Sequence, residues 1–269
     1  MLVVRHLCES MLASLSEDAL PDHVSAQPEP TAEQPEPTAE PPAPTAAQRE
    51  PTAEQPEILA RGPWAIEHIT ARWRQEHFEP SPEHTAAADA AIKGLQDRGS
   101  PSHDGVAARL LDYRQDRDGI AIELQPLRWA LRLVSSDASS SVAALCVTRS
   151  ADGRWLAGRR AEWVSSWAGR WALGAGGAVD LGENPADTLV RELREEWAVS
   201  PERVRGEALV RLPHQMVMFV GQAWLPEGAE DAIEPDHEHD AFAWWPRAIE
   251  EWPPEAGEAL SRMARWLSE

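Results

Sequence analysis

Residues 177–199 read GAVDLGENPADTLVRELREEWAV, and the middle of this stretch carries the marks of a helix with one charged face. Asn184 is a good N-cap. Pro185 suits the first helical position, where its missing N–H is no loss, and Asp187 favours the positive end of the helix dipole. The spacing predicts a helix over 185–198. At about 100° per residue, Glu192, Glu195 and Glu196 fall within an arc of about 100°. Val190, Leu193 and Trp197 share the opposite side, which the apolar pattern turns to the core. Three unpaired carboxylates on one face repel one another. A hard divalent cation with oxygen ligands relieves that repulsion, and Mg²⁺ fits best where a substrate phosphate completes its shell. The plain alternative is a solvated acidic face with local Glu–Arg pairs, since Arg191 and Arg194 lie within reach of several of the acids.

The stretch resembles the Nudix box, G-x5-E-x7-R-E-U-x-E-E-x-G-U, with U a bulky aliphatic residue. Gly177, Glu183, Arg191, Glu192, Leu193, Glu195, Glu196 and Val199 match. Ala198 stands where the family has glycine. Matching eight of nine specified positions is a far more specific signal than a lone glycine motif. The resemblance implies a Mg²⁺-dependent pyrophosphohydrolase, with Mn²⁺ as a substitute. Glu192, Glu195 and Glu196 would bind metal, one of them also activating water, and the main-chain carbonyl of Gly177 would be a further ligand. Arg191 would orient the glutamates by charge-assisted hydrogen bonds. Glu183 would pair with Arg191 or order metal-bound waters. Glycine at 198 would allow a left-handed cap; alanine must accept that strain or end the helix differently.

Strand and helix order extends the resemblance beyond the box. Apolar runs predict strands at 142–148, 155–159, 208–212, 216–224 and 241–245, with a closing helix at 255–267. This order fits an α/β/α sandwich of Nudix type with a mixed sheet, over residues 138–269. Residues 62–134 read as a small α+β lead-in region: helices at 64–76 and 85–97, then strands at 105–113 and 119–125 joined by a polar turn. The lead-in either adds strands to the following domain or completes a homodimer. Residues 1–60 form a tail. Pro30-Thr31-Ala32 recurs at Pro37, Pro44 and Pro51, every seven residues, but with proline invariant and no apolar seam this is an extended, disordered tether rather than a coiled coil. A short helix over 9–20 is the one element expected in it.

The net charge of the 269-residue chain is -20. Such a chain repels nucleic-acid backbones and anionic membranes, so the partner expected is a small phosphorylated, nucleotide-derived molecule whose charge a metal neutralises. There are 2 cysteines, Cys8 and Cys146, far apart and without zinc or redox spacing, which suits a reducing cytoplasm. No apolar run approaches a membrane span.

Further candidates lie outside the box. Arg159 and Arg160 follow a strand and point to phosphate contact. Trp155, Trp163, Trp167 and Trp171 offer surfaces for a nucleobase, although packing is the expectation for at least two of them. In the acidic segment 234–240, Glu234, Asp236 and Glu238 are candidates for a general base or further metal ligand. Pro213 sits about where ADP-ribose-specific relatives carry a marker proline. Two other functions share parts of this pattern. One is a non-catalytic Nudix-fold ligand sensor, which usually loses box glutamates that this chain keeps. The other comes from Ala175-Gly176-Gly177, which is similar to the branch related to isopentenyl diphosphate isomerase. Those enzymes use a cysteine in a Cys-Ser-His-Pro context, and here Cys146 lies in an apparent core strand without it.

Overall fold

Alternating burial along the chain builds two sheets. The computed structural model describes residues 56–99, 104–134, 140–164, 167–212 and 216–269. The four Pro-Thr-Ala units, the helix expected over 9–20 and Pro213 lie outside them. The elements in chain order are β1 (Glu57–Ala65), β2 (Ile69–Trp73), α1 (Pro82–Gln96), β3 (Val106–Gln115), β4 (Ile120–Arg128), β5 (Val142–Arg149), β6 (Trp155–Arg160), β7 (Trp171–Leu173), β8 (Ala175–Ala178), α2 (Pro185–Trp197), β9 (Arg203–Arg211), β10 (Val217–Trp224), β11 (His239–Trp245) and α3 (Gly257–Ser268). The main sheet runs β1-β9-β10-β5-β6-β11, with β8 on β5 and β7 on β6; β2-β4-β3 form a second, smaller sheet. β10 and β5 pair in parallel while β9, β8, β6 and β11 pair antiparallel, so the sheet is mixed.

Period-two alternation sorts the side chains to two faces. From β5, Val142, Ala144 and Cys146 face one core; from β10, Val217, Phe219 and Ala223 join it, with Leu189, Leu193 and Trp197 of α2. Ala143 and Val147, Met218 and Val220 point the other way, where α3 covers them with Leu260, Met263, Ala264, Trp266 and Leu267. One helix on each face makes the α/β/α sandwich that the sequence predicts. Each large side chain so buried contributes about 1.5–3 kcal/mol.

The stretch 64–76, expected to be helical, is instead the end of β1, a 3-10 turn at Ile66–His68, and β2. Burial along β2 alternates from buried Ile69 to exposed Thr70 to half-buried Ala71, and then exposed Arg72 to half-buried Trp73. That is a strand period. Ile66, Ile69 and Thr70 are β-branched, and ladders with β9 and β4 supply backbone partners that no local pattern reveals. The helix expected over 85–97 and the two strands after it form as α1, β3 and β4.

Residues 56–134 are joined to the box at its N-terminal side. β1 extends the main sheet at β9. Trp64, Ile69, Ile120, Ile122 and Leu124 share the core of α2. The Trp73 indole donates to the carbonyl of Glu183 at 2.8 Å, and the Asn184 amide donates to the carbonyl of Ile69 at 2.6 Å. Further backbone bonds tie Ala108 to Val179 and Leu110 to Ser140.

α2 begins as predicted. The Asn184 side chain accepts from the Ala186 N–H at 3.0 Å, and Asp187 reaches back to the Asn184 N–H in a capping box. The helix ends on Ala198 at φ 56°, ψ 21°, whose N–H donates to the carbonyl of Arg194. Alanine therefore accepts the left-handed conformation that glycine occupies without strain. The core face differs from expectation at one position. Val190 is half-buried, and Leu189 takes its place in the interior, because Gly221 opens β10 to close approach by the Leu189 side chain. Among the described residues no helix is long and apolar enough to cross a membrane.

Candidate active site

α2 and the glycine strand β8 bring the box acids together by burying two of them. Glu192 and Glu196 are 8% and 6% exposed, against the usual rule that an unpaired carboxylate stays in water. Both lie on β8. Glu196 Oε1 accepts from the Gly176 N–H at 2.9 Å. Glu192 fills the space above Gly177, where a Cβ would collide with its carboxylate. The glycine of the box is thus required by the glutamate fifteen residues on.

Arg191 organises one side of the cluster. Its Nε and Nη2 donate to the two oxygens of Glu183 at 2.7 and 3.0 Å, in a fork. Its Nη1 bridges Glu192 at 2.7 Å and Glu195 at 3.0 Å, and Nη2 also donates to the carbonyl of Ala178. Glu183 accepts from the Thr188 hydroxyl and the Asp180 N–H besides. Burial by itself would raise its pKa, but the bonds from Arg191, Thr188 and Asp180 outweigh it and hold Glu183 below the usual carboxylate range. Glu195 is the exposed member of the three acids.

His239 holds the other side, a contact the sequence did not disclose. It opens β11 and is buried, its ring against Trp197 with centroids 4.4 Å apart. Nδ1 lies 3.2 Å from Asp236 Oδ1, and Nε2 lies 3.8 Å from Glu196 Oε2. The N–H of Asp236 donates to the carbonyl of Glu196. A His-Glu-His-Asp run in an acidic segment gives no sign that one histidine turns inward; the β11–β6 ladder, and Gly158 beneath the ring, decide it.

The charges are unbalanced. Burial pushes the Glu192 carboxyl up to about 7, with Arg191 pulling down and Glu195 and Asp180 pushing up. Burial also raises Glu196 well above the ordinary value; the Gly176 N–H and Arg160 oppose this, while Glu192 and Glu238 add to it. Two buried carboxylates short of positive charge, all donors oxygen, fit a hard divalent cation. Among the described residues no three His, Cys, Asp or Glu side chains already converge as a finished ion cage. Arg191 occupies Glu192 and Glu195, and Glu196 is turned toward Gly176 and His239.

The remaining sequence candidates divide. Glu238 pairs with Arg160 at 2.9 Å, and both act on the charge of Glu196. Arg159 pairs with Asp240 at 2.6 Å. Trp171 packs on Trp245, in the core that α3 covers, away from the carboxylates; Trp155 is buried in the same core, edge-on to Trp252. Trp167 is half-buried against that core too, whereas Trp163 is exposed and stacks on His237 at 5.2 Å. Cys146 is fully buried, which pushes its thiol up to about 12, so it has the character of a core residue rather than of a nucleophile.

Residues 139–267 match the family model for the NUDIX domain. This part of the chain belongs to the Nudix family. Among solved structures it is similar to a MutT protein from Methanosarcina mazei Go1, at 21% identity over 48% of this chain and 96% of that one, with a TM-score of 0.36. It is also similar to a MutT Nudix hydrolase from Burkholderia pseudomallei (25% identity, 46% and 94% covered, TM-score 0.35) and to a C. elegans Ap4A hydrolase (20%, 48% and 98%, TM-score 0.31). No curated protein matches the chain.

Proposed function

We propose that the chain is a Mg²⁺-dependent Nudix hydrolase that cleaves a phosphoanhydride bond in a nucleoside diphosphate linked to another moiety. The observation that carries this reading is the pair of buried, under-compensated carboxylates, Glu192 and Glu196, set over Gly176 and Gly177. Burying them costs stability in the free protein, and a structural Glu–Arg face has no reason to do so. Glu192, Glu195, Glu196 and the Gly177 carbonyl would hold the metal, with Mn²⁺ as a substitute. When bound, the metal supplies charge neutralisation at the diphosphate and lowers the pKa of water.

The protein's own groups supply the rest. Arg191, fixed by Glu183, keeps Glu192 and Glu195 on one side. Asp236 holds the His239 ring, which faces Glu196, while the Gly176 N–H fixes that carboxylate's other oxygen. The proton of an attacking water would go to a box glutamate or to Glu238, whose charge acts on Glu196. Retention of all four box glutamates weighs against a non-catalytic sensor, and the buried Cys146 against an isomerase. In this reading residues 1–60 are a tether, 62–134 a lead-in region and 138–269 the hydrolase domain. The test is phosphate release from a panel of nucleotide sugars, dinucleotides, coenzyme A derivatives and modified nucleoside triphosphates with Mg²⁺. Turnover of at least one that is abolished by chelation and by Glu196→Gln is the expected result; no turnover across the panel, or turnover indifferent to Glu196, sinks the reading.

A further inference from the structure

Trp163 differs from the tryptophans around it. Trp155, Trp197 and Trp245 are buried, and Trp171 packs in the core that α3 covers, whereas Trp163 is 45% exposed in the segment between β6 and β7. It belongs to none of the three apolar cores, so packing does not account for it. One of its faces is covered. The His237 ring lies 7° from parallel to it, with centroids 5.2 Å apart. The exposure therefore falls to the opposite face and the edges. A run of short contacts ties this pair to the box carboxylates. His237 Nδ1 is 3.8 Å from Asp236 Oδ2, Asp236 Oδ1 is 3.2 Å from His239 Nδ1, and His239 Nε2 is 3.8 Å from Glu196 Oε2. The Asp236 N–H also donates to the Glu196 carbonyl at 2.8 Å. On the other strand, the Ala161 N–H donates to the Glu238 carbonyl at 2.8 Å, and Arg160 pairs with Glu238 at 2.9 Å. Both rings thus stand on segments anchored beside Glu196, Trp163 on the one that leaves Arg160 and His237 on the one that enters His239.

We propose that Trp163, backed by His237, stacks the base of the substrate and so holds the nucleoside end while the box carboxylates hold the diphosphate through metal. The inference rests on the hydrolase reading above. A rigid indole offers a large apolar face at little entropic cost, and every base has a π-face to set against it. The parallel His237 ring fixes the indole in advance, so less ordering is left for the moment of binding. Charge decides which end of the substrate comes here. The two segments carry Glu162, Asp236 and Glu238, and their one flanking cation, Arg160, is already paired to Glu238. A phosphate is repelled from such surroundings, and a neutral aromatic ring is not. A stack of this kind is equally strong before and during the reaction, so it acts on KM and leaves kcat unchanged.

The experiment uses the full chain with excess Mg²⁺ and two hydrolysis-resistant probes. Methylenediphosphonate has no base; the α,β-methylene analogue of ADP adds a nucleoside to the same group. Calorimetric titration is run on wild type, Trp163→Ala and Trp163→Phe. The wild type is expected to bind the nucleotide analogue more tightly than the diphosphonate. Trp163→Ala is expected to weaken binding of the nucleotide analogue roughly 5- to 100-fold, the loss of one base stack, with diphosphonate binding unchanged and Trp163→Phe keeping most of the wild-type affinity. Three results overturn the inference: equal binding of the nucleotide analogue by wild type and Trp163→Ala, an equal loss for both probes, or a wild type that binds the two probes alike. In each of these the hydrolase reading stands on the wild type's Mg²⁺-dependent binding of diphosphonate. Absence of Mg²⁺-dependent binding of either probe by the wild type removes the hydrolase reading and the inference together.

Discussion

α2 and α3 do the same architectural work on opposite faces of one sheet, yet they bury different chemistry. α3 turns Leu260, Met263, Ala264, Trp266 and Leu267 inward and leaves its charges in water. α2 turns in Leu189, Leu193 and Trp197, and with them Glu192 and Glu196. The first arrangement is what stability alone favours. The second gives up stability for a concentration of negative charge, and it is surrounded by devices that make it tolerable: the Arg191 fork, the Gly176 N–H, the His239 ring. The cover differs as well. α3 packs against the main sheet, while α2 also shares its core with β1, β2 and β4.

That asymmetry yields expectations of decreasing size. Removing residues 1–137 strips β1, β2 and β4 from the α2 face, and takes from the α3 face only Ile58 and the Arg61 contact with Trp266. Residues 138–269 alone are expected to lose cooperative melting or to melt far below the full chain, with little turnover per folded molecule. An unchanged melting temperature and activity would make the lead-in region an independent module.

Single substitutions on the two helices should separate activity from stability. Glu196→Gln and Glu192→Gln are expected to cut turnover by about 10²–10³-fold or more and to weaken Mg²⁺ binding, with metal-free stability equal or slightly higher; Glu195→Gln, being exposed, should change stability least. Leu260→Ala on α3 is expected to cost roughly 2–5 kcal/mol of stability with turnover per folded molecule retained. Phosphate release beside melting with and without Mg²⁺ checks both, and an α2 variant that loses stability but keeps its turnover would reverse the comparison.

Acidity should expose the same difference. The Glu192 carboxyl is pushed up to about 7 from 4.5 and Glu196 is raised as well. Groups raised on folding hold their proton more tightly in the folded chain, so their contribution is full below the ordinary carboxyl range; that of Glu192 is lost as pH rises through about 7, and that of Glu196 is lost above the ordinary carboxyl range. The groups facing them are Arg191, Glu195 and Asp180 for Glu192, and Arg160, Glu238 and His239 for Glu196. Metal-free protein is therefore expected to melt lower at pH 8 than at pH 5.5, the Mg²⁺ gain to be larger at pH 8, and Glu196→Gln to flatten both trends. A melting temperature level across this range argues against the charge deficit.

The smallest effect is at the end of α2. Ala198→Gly relieves a left-handed alanine and should stabilise by roughly 0.5–1 kcal/mol, a few degrees in Tm, without changing turnover. A lower Tm would mean that Val199 and the packing after it fix this conformation at no cost.

Local chemistry carried much of this protein. The caps, the period of α2, the match to the box and the strands after it depend on neighbours within a few residues, and those are written consecutively. The one helix misread, over 64–76, failed because short apolar stretches suit either period and only pairing with β9 and β4 settles them. Tertiary structure alone decided which acids are buried, why residue 177 is glycine, and that His239 turns inward to Glu196. Each depends on where distant strands end, and a carboxylate's burial is a property of what closes over it. No spacing within α2 records that β8 passes beneath Glu192, or that β11, more than forty residues on, sets His239 beside Glu196.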